Sequence, residues 1–423
     1  MKYFWLMFTS SRFIYIIALA LPLVFCCHLT MAQEAGCTDP LANNFDESAE
    51  VNDGSCVYPF TTYQPERIGE LPNAVRETSG LLLIDTCLWT HNDSGFGPEL
   101  HCLDTTDGHL KRTVWIDGAT SRDWEDIAMD EEYIYIGDFG NNNGNRRDLA
   151  IFRIKLAHLD RDSIESEGIF FEYPDQVDFD TRPQNNDYDM EAMIAIGDSL
   201  YLFSKNWVDL RTRVYALPKA PGTYTADLID SFAVNGLITG ADYNEEKGVI
   251  MLVGYTPILT PFIWLLWDFP NTHFFAGNKR RIELSLLAHQ VEAVVWNPYG
   301  KYWFISNEAF SQIVNVPPRL HRVYTDQWFF EPTTSVDFSH KVNTTIQAFP
   351  NPCHDTCYLD FDLLGEQTGR LTIFDVHGKP VKEGTIRLGS ELFRLDMSAF
   401  PSGIYIVFVD TEDQIFSARI VKE

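Results

Sequence analysis

A chain of 423 residues with 45% apolar, 14% aromatic and 22% charged residues has the make-up of folded protein in roughly two to four domains, which excludes a mainly disordered chain. A formal net charge of −28 argues against a nucleic-acid partner, whose phosphates would be repelled. It suits an acidic extracellular surface, or carboxylates set aside for divalent cations.

In chain order, Lys2 and Arg12 flank the start of an apolar run from Phe13 to Cys27, and Thr30-Met31-Ala32 puts a small residue ahead of Gln33. Residues 1–32 therefore read as a signal peptide, and no membrane span is expected once it is removed. Phe25 is too bulky for the residue preceding a lipidated Cys26. Six cysteines remain, in three sequence-local pairs: Cys37 with Cys56, Cys87 with Cys102, and Cys353 with Cys357. Export to an oxidising compartment makes disulfides the default for such pairs. A turn near Ser94-Gly95-Phe96-Gly97 would bring the second pair across a hairpin.

Residues 33–59 form a segment too short to hold itself together by burial, so a disulfide closing its loop supplies order. Asp39, Asp46 and Asp53 either cap its turns or ligate Ca²⁺. Gly36-Cys37-Thr38-Asp39-Pro40 and Asn52-Asp53-Gly54-Ser55-Cys56 resemble a short motif common in secreted proteins of the Bacteroidota and marine bacteria.

Residues 60–335 carry a repeat. A carboxylate opens an apolar strand at Glu77, Glu125, Glu191 and Glu292, with a weaker copy at Gly240-Ala241-Asp242, so the unit is about fifty residues long. Each copy runs into a second apolar strand with a polar end, as in Tyr133-Ile134-Tyr135-Ile136-Gly137-Asp138 and Leu200-Tyr201-Leu202-Phe203-Ser204-Lys205. This predicts an all-β fold, a five-bladed β-propeller, with six blades as the alternative if another is hidden between Asp160 and Asp189. The last blade has three strands of its own, and the stretch Pro65 to Leu71 stands ready to supply the fourth and close the ring.

A linker at 336–346 leads to residues 347–423, where alternation at Tyr405-Ile406-Val407-Phe408-Val409 predicts a small immunoglobulin-like β-sandwich. Ala348-Phe349-Pro350-Asn351-Pro352, Leu371-Thr372-Ile373-Phe374-Asp375-Val376-His377-Gly378 and Pro401-Ser402-Gly403-Ile404-Tyr405 resemble the C-terminal sorting domain of type IX secretion cargo in Bacteroidota. That resemblance implies the type IX machinery as a partner and a secreted or outer-surface location.

First strands of a propeller line its channel, so Glu77, Glu125, Glu191 and Glu292 are expected to converge there. Such a ring must be protonated, paired with a basic group such as Arg122 or Lys205, or bound to a cation, for which Ca²⁺ is the best fit. Thr239 or Asp242 would complete the fourth blade. The second strands end in a further ring of polar groups, His91, Asn92, Asp93, Asp138, Lys205, Asn206, Tyr255, Asn307 and Glu308, of which His91, Asp138, Lys205 and Glu308 are the candidate catalytic groups. Nucleophile-elbow, zinc-protease and P-loop signatures are missing.

Asp123-Trp124-Glu125-Asp126-Ile127-Ala128 followed by Gly137-Asp138-Phe139-Gly140-Asn141-Asn142 resembles uncharacterised secreted bacterial propellers. In plan the region is also similar to the apyrases, the gluconolactonase group and phytase-like proteins. Two readings stay open: a calcium-dependent hydrolase of phosphoesters or lactones, or a non-catalytic module with structural calcium that binds an extracellular substrate or glycan.

Overall fold

The computed structural model describes residues 34–311, 315–329, 342–346, 348–359, 361, 367–375, 380–388, 392–411 and 414–423. The expected signal peptide and most of the expected linker lie outside them. The chain divides into two units, Met1–Phe330 and Glu331–Glu423. Both are built from β-strands, and the only helical turns among the described residues are three short 3-10 segments.

In the first unit, beside the two-stranded sheet of the N-terminal module, strands form five sheets, each with four antiparallel strands, in chain order in the first four sheets. Their first strands are Thr78–Ile84, Trp124–Met129, Asp189–Ile196, Leu237–Asn244 and Val291–Asn297. Each of these packs beside the next, and the fifth packs beside the first, so the inner strands form a closed, propeller-like ring. The fifth sheet is completed by Glu66–Glu70, which pairs antiparallel with Arg319–Val323 through Arg319 opposite Glu70 and Leu320 opposite Gly69. The interval from Asp160 to Asp189 holds no sheet of its own. Ser163–Glu165 and Glu167–Glu172 extend the first and second sheets, and a long loop takes up the rest.

The core explains why these strands read as unbroken apolar runs. Successive side chains on a strand point to opposite faces, and here both faces are covered. In Val249–Tyr255, Met251 and Val253 join the cluster shared with the fifth sheet through Val294 and Ile305. Ile250 and Leu252 join the one shared with the third sheet through Phe203 and Val214. Comparable clusters lie between the other neighbouring sheets and close with Leu81, Leu88, Val295 and Phe304 between the fifth and the first.

The short N-terminal module is closed by the Cys37–Cys56 disulfide and seated on the fourth sheet. Asn52 donates to Asp268 at 2.7 Å, and Lys279 donates to the Gly54 carbonyl at 3.1 Å. Gly54 sits at φ +73°, and a Cβ there would stand 2.3 Å from the Ala276 carbonyl oxygen, so only glycine fits. The three aspartates of the module act as turn acceptors: Asp39 for Leu41 N–H and the Tyr58 hydroxyl, Asp46 for Ser48, Asp53 for Ser55.

Cys87 and Cys102 are disulfide-linked across the hairpin of Cys87–Asn92 and Glu99–Asp104. Cys353 and Cys357 are not joined, contrary to the expectation from their spacing; both thiols are buried and fill space in the core of the second unit. That unit packs a five-stranded sheet against a three-stranded one. Val342–Thr345, expected to be linker, is a strand lying parallel to the end strand Gln414–Lys422.

One carboxylate ties three of the inner strands. Asp126 accepts the backbone N–H groups of Met193 at 2.8 Å and Ala241 at 3.2 Å, besides that of Ile127. Asp126→Ala strands these donors in the interior and is expected to lower the unfolding free energy of the first unit by about 3 kcal/mol or more, read from urea denaturation.

Candidate functional site

Every inner strand carries the same irregularity. The register against the second strand slips by one residue at Gly80, Glu125, Glu191, Thr239 and Glu292, each of which is the extra residue of a β-bulge. A bulge re-aims the side chain it carries. Three glutamates and a threonine are thus placed at one level of the ring. Glu77 is not among them: Gly80 holds the equivalent position, and the Glu77 side chain, 29% exposed, pairs with Arg76 at 3.4 Å. The ring of four glutamates expected from sequence is therefore one of three, because the match to Glu77 left the bulge out of the count.

Loops at the same end bring further acids. Carboxylate oxygens of Asp93, Asp123 and Glu125 lie within 4.8 Å of one another. Gly140 backs them: a Cβ at that position would stand 1.9 Å from Glu125 Oε1 and 2.6 Å from an Asp123 oxygen. Glu125 is 3% exposed, and its Oε1 has no hydrogen-bond partner. Burial, then the charges of Asp93, Glu191 and Asp123, push the Glu125 carboxyl well above the usual range. Burial, then the charge of Asp189, raises Asp123 to about 6. Asp93 is raised well above its ordinary value by burial and then by Asp123.

The opposite side holds one buried cation. Lys205 Nζ donates to Glu191 Oε1 at 3.0 Å and lies 5.0 Å from the Trp207 ring centre. Burial acts to strip its proton, but Glu191, Tyr255, Glu292 and Asp189 outweigh that and hold the ammonium charged. Asp189 is fixed by the Asn141 N–H at 2.5 Å and the Trp207 indole at 2.8 Å. Burial raises Glu292 to about 7 against the opposing pull of Lys205 and of hydrogen bonds with Tyr255, Thr239 and Gln290. Glu308, half-buried, is raised by burial and then by Glu292, Asp93 and Glu77.

Of the expected catalytic residues, Lys205 and Glu308 border this hub and two do not act in it. His91 is fully buried, edge-on to Trp124 at 5.4 Å, and burial lowers it to about 4, so it stays neutral as a core residue. Asp138 is committed to scaffold bonds from Thr120 at 2.5 Å, Asp123 N–H at 3.1 Å and Arg146 at 3.0 Å. It positions Asp123 and the loop that contains Gly140. The expected catalytic set missed Asp93, Asp123 and Asp189. A signal for two of them was present: Asp123-Trp124-Glu125 and Asp189-Met190-Glu191 share an aspartate two residues before the bulged glutamate.

Residues 347–423 match the family of secretion-system C-terminal sorting domains. The second unit is a type IX sorting domain. The sorting domain makes this chain a secreted or outer cell-surface protein that engages the type IX machinery. No helix among the described residues is long and apolar enough to cross a membrane. No curated protein matches the chain. Among solved structures, it is similar to an exo-β-1,3-galactanase from Phanerochaete chrysosporium at 8% identity and TM-score 0.41, covering 90% of this chain and 99% of that one. A gluconolactonase from Xanthomonas campestris is similar at 11% identity and TM-score 0.32, over 58% of this chain and 71% of that one. A chain of the mitotic checkpoint complex matches at 14% identity and TM-score 0.29 over 58% of this chain, and only 63% of that chain is spanned. These likenesses are too distant to carry a function across.

Lys205→Met removes the cation that pairs with Glu191 and is expected to cost about 3–5 kcal/mol by chemical denaturation, whereas Glu77→Gln, at a partly exposed surface pair, should stay within about 0.5 kcal/mol of the parent.

Proposed function

We propose that this secreted protein is a five-bladed propeller whose hub binds a divalent cation, Ca²⁺ by the chemistry of the donors, and that it is a metal-dependent hydrolase of the phosphoester or lactone class. The observation that supports this most is the buried, unpartnered Glu125 Oε1 beside the Asp93 and Asp123 carboxylates, backed by a glycine that leaves no room for a side chain. An orphaned carboxylate oxygen in the interior is costly unless a proton or a cation meets it. Hard oxygen donors in a group of three suit Ca²⁺, which completes its coordination with water or substrate oxygen.

In this reading Asp93, Asp123 and Glu125 hold the ion, which polarises a phosphoryl or carbonyl oxygen when bound. Glu292, raised to about 7, is poised to take and return a proton near neutral pH. Lys205, oriented by Glu191 and Trp207, supplies a fixed positive charge facing the acids. A second reading, a binding module with structural calcium, draws support from the origin of the ligands: Asp93 follows a strand of the first sheet and the other two belong to the second, so an ion there would tie two blades.

Calorimetry on the full mature chain should show one Ca²⁺ bound, at least tenfold more weakly in Glu125→Gln and Gly140→Ala and unchanged in Glu77→Gln. Absence of Ca²⁺ binding at millimolar concentration would overturn the metal reading. Because the ligands must lose protons and Asp123 stands at about 6, binding should tighten from pH 5 to pH 7, by up to about tenfold per unit for each proton released. Chelator-sensitive turnover of an aryl phosphate or a lactone separates hydrolase from binder: bound calcium with no turnover of either leaves the structural reading.

A further inference from the structure

Beside the hub, loops of the second and third sheets enclose a cleft of about 190 Å³ that none of the three proposed metal ligands lines. It is held open by backbone bonds. Arg182 N–H donates to the Asn143 carbonyl at 2.8 Å, Gln184 N–H to that of Asn142 at 2.8 Å, and Trp207 N–H to that of Asn186 at 3.0 Å. Val208 N–H donates to Asp187 at 2.9 Å. The cleft is thus formed before any ligand arrives, as small-molecule sites usually are.

Its lining selects a chemical class. Arg182 and Arg213 line it together with three acids, Asp178, Asp180 and Asp187. Both cations are already paired: Arg182 with Asp178 and, at 4.0 Å, with Asp180, and Arg213 with Asp209 at 3.2 Å and with Asp187 at 3.8 Å. The walls therefore offer fixed donors and acceptors and carry more carboxylates than guanidinium groups, so an anion is repelled and neither arginine is free to recruit one. Planar guanidinium and carboxylate groups and the exposed Asn185 amide can engage adjacent polar atoms of a ligand, while the Asn186 amide is used within the loop by the Asn142 carbonyl and the Tyr188 N–H. Tyr188 and the exposed Val208 add apolar surface to the same cleft. A ligand that matches carries no negative charge, has neighbouring hydroxyl groups that both donate and accept, and presents C–H faces between them. The volume is below the roughly 300–1,000 Å³ of pockets for drug-sized molecules, so one ring fits and an extended chain does not.

We propose that this cleft is a binding site for a single residue of a neutral saccharide. Tyr188 directly precedes Asp189 of the hub, so the two sites share a loop, yet the saccharide site is independent of the metal and of hydrolysis.

The test uses the full mature chain, with methyl glycosides of common hexoses and pentoses and short neutral oligosaccharides as probes and a sulfated oligosaccharide as the charged comparison. Saturation-transfer NMR and calorimetry should give saturable binding of a neutral probe with Kd in the range of about 0.1–10 mM. Asn185→Ala should weaken it about fivefold or more, and Val208→Trp should do the same by crowding the rim. Both positions are exposed, so melting temperatures should match the parent and exclude misfolding. Chelator and Glu125→Gln should leave the sugar affinity unchanged, which separates this site from the hub. Failure of every neutral probe to saturate, binding of the sulfated probe alone, or full binding by both variants would overturn the proposal.

Discussion

The first unit depends on how its inner strands satisfy their backbone groups where five sheets meet. Neighbouring inner strands belong to different sheets and share no regular ladder, and a bulge in each unpairs one more residue. Buried peptide groups left over in this way must find partners. Side chains provide them. Asp126 accepts from the third and fourth sheets, Asp242 accepts the Trp296 N–H of the fifth at 2.7 Å, and Thr239 donates to the Val291 carbonyl at 2.5 Å. The Ser79 hydroxyl donates to the Glu125 carbonyl, joining the first sheet to the second. The polar lining of the hub is in the first instance the solution to a backbone problem, and the same bulges carry Glu125, Glu191 and Glu292 to where chemistry is available.

Electrostatics follows from that placement. Acids gathered by the bulges and the loops beside them face one buried lysine, and burial is the leading influence on each of the raised carboxyl groups. Two arrangements relieve such crowding: carboxyl groups that share protons, or a cation that takes their place. Lys205 bonds Glu191 and reaches Asp93 and Glu125 only through space, and Arg146 pulls on Asp123, yet all three of those carboxyl groups stay raised.

Much of this was legible in the residues, and the exceptions have physical causes. The five inner strands announce themselves because both faces are buried, which turns alternation into continuous apolar runs such as Ile250-Met251-Leu252-Val253. The closing strand Glu66–Glu70 was readable from the missing member of the fifth sheet. Glu77 misled because a phrase resembling the others lies three residues before the bulge, and register is invisible in a single sequence. Asp93 stood among the polar groups at the strand ends but not in the catalytic set, because an aspartate after a strand is ordinary turn chemistry until the fold brings it against Asp123. Cys353 and Cys357 show that spacing identifies neighbours but not a bond.

Closure by Glu66–Glu70 ties residues near the start of the first unit to Arg319–Val323 near its end. Contacts between such remote stretches raise contact order, so assembly waits on the slowest loop to close rather than on any local hairpin. A chain still emerging from the ribosome, or threaded partway across a membrane, cannot finish the wheel before Arg319 has arrived, and until then an unpaired strand edge stays open to other chains.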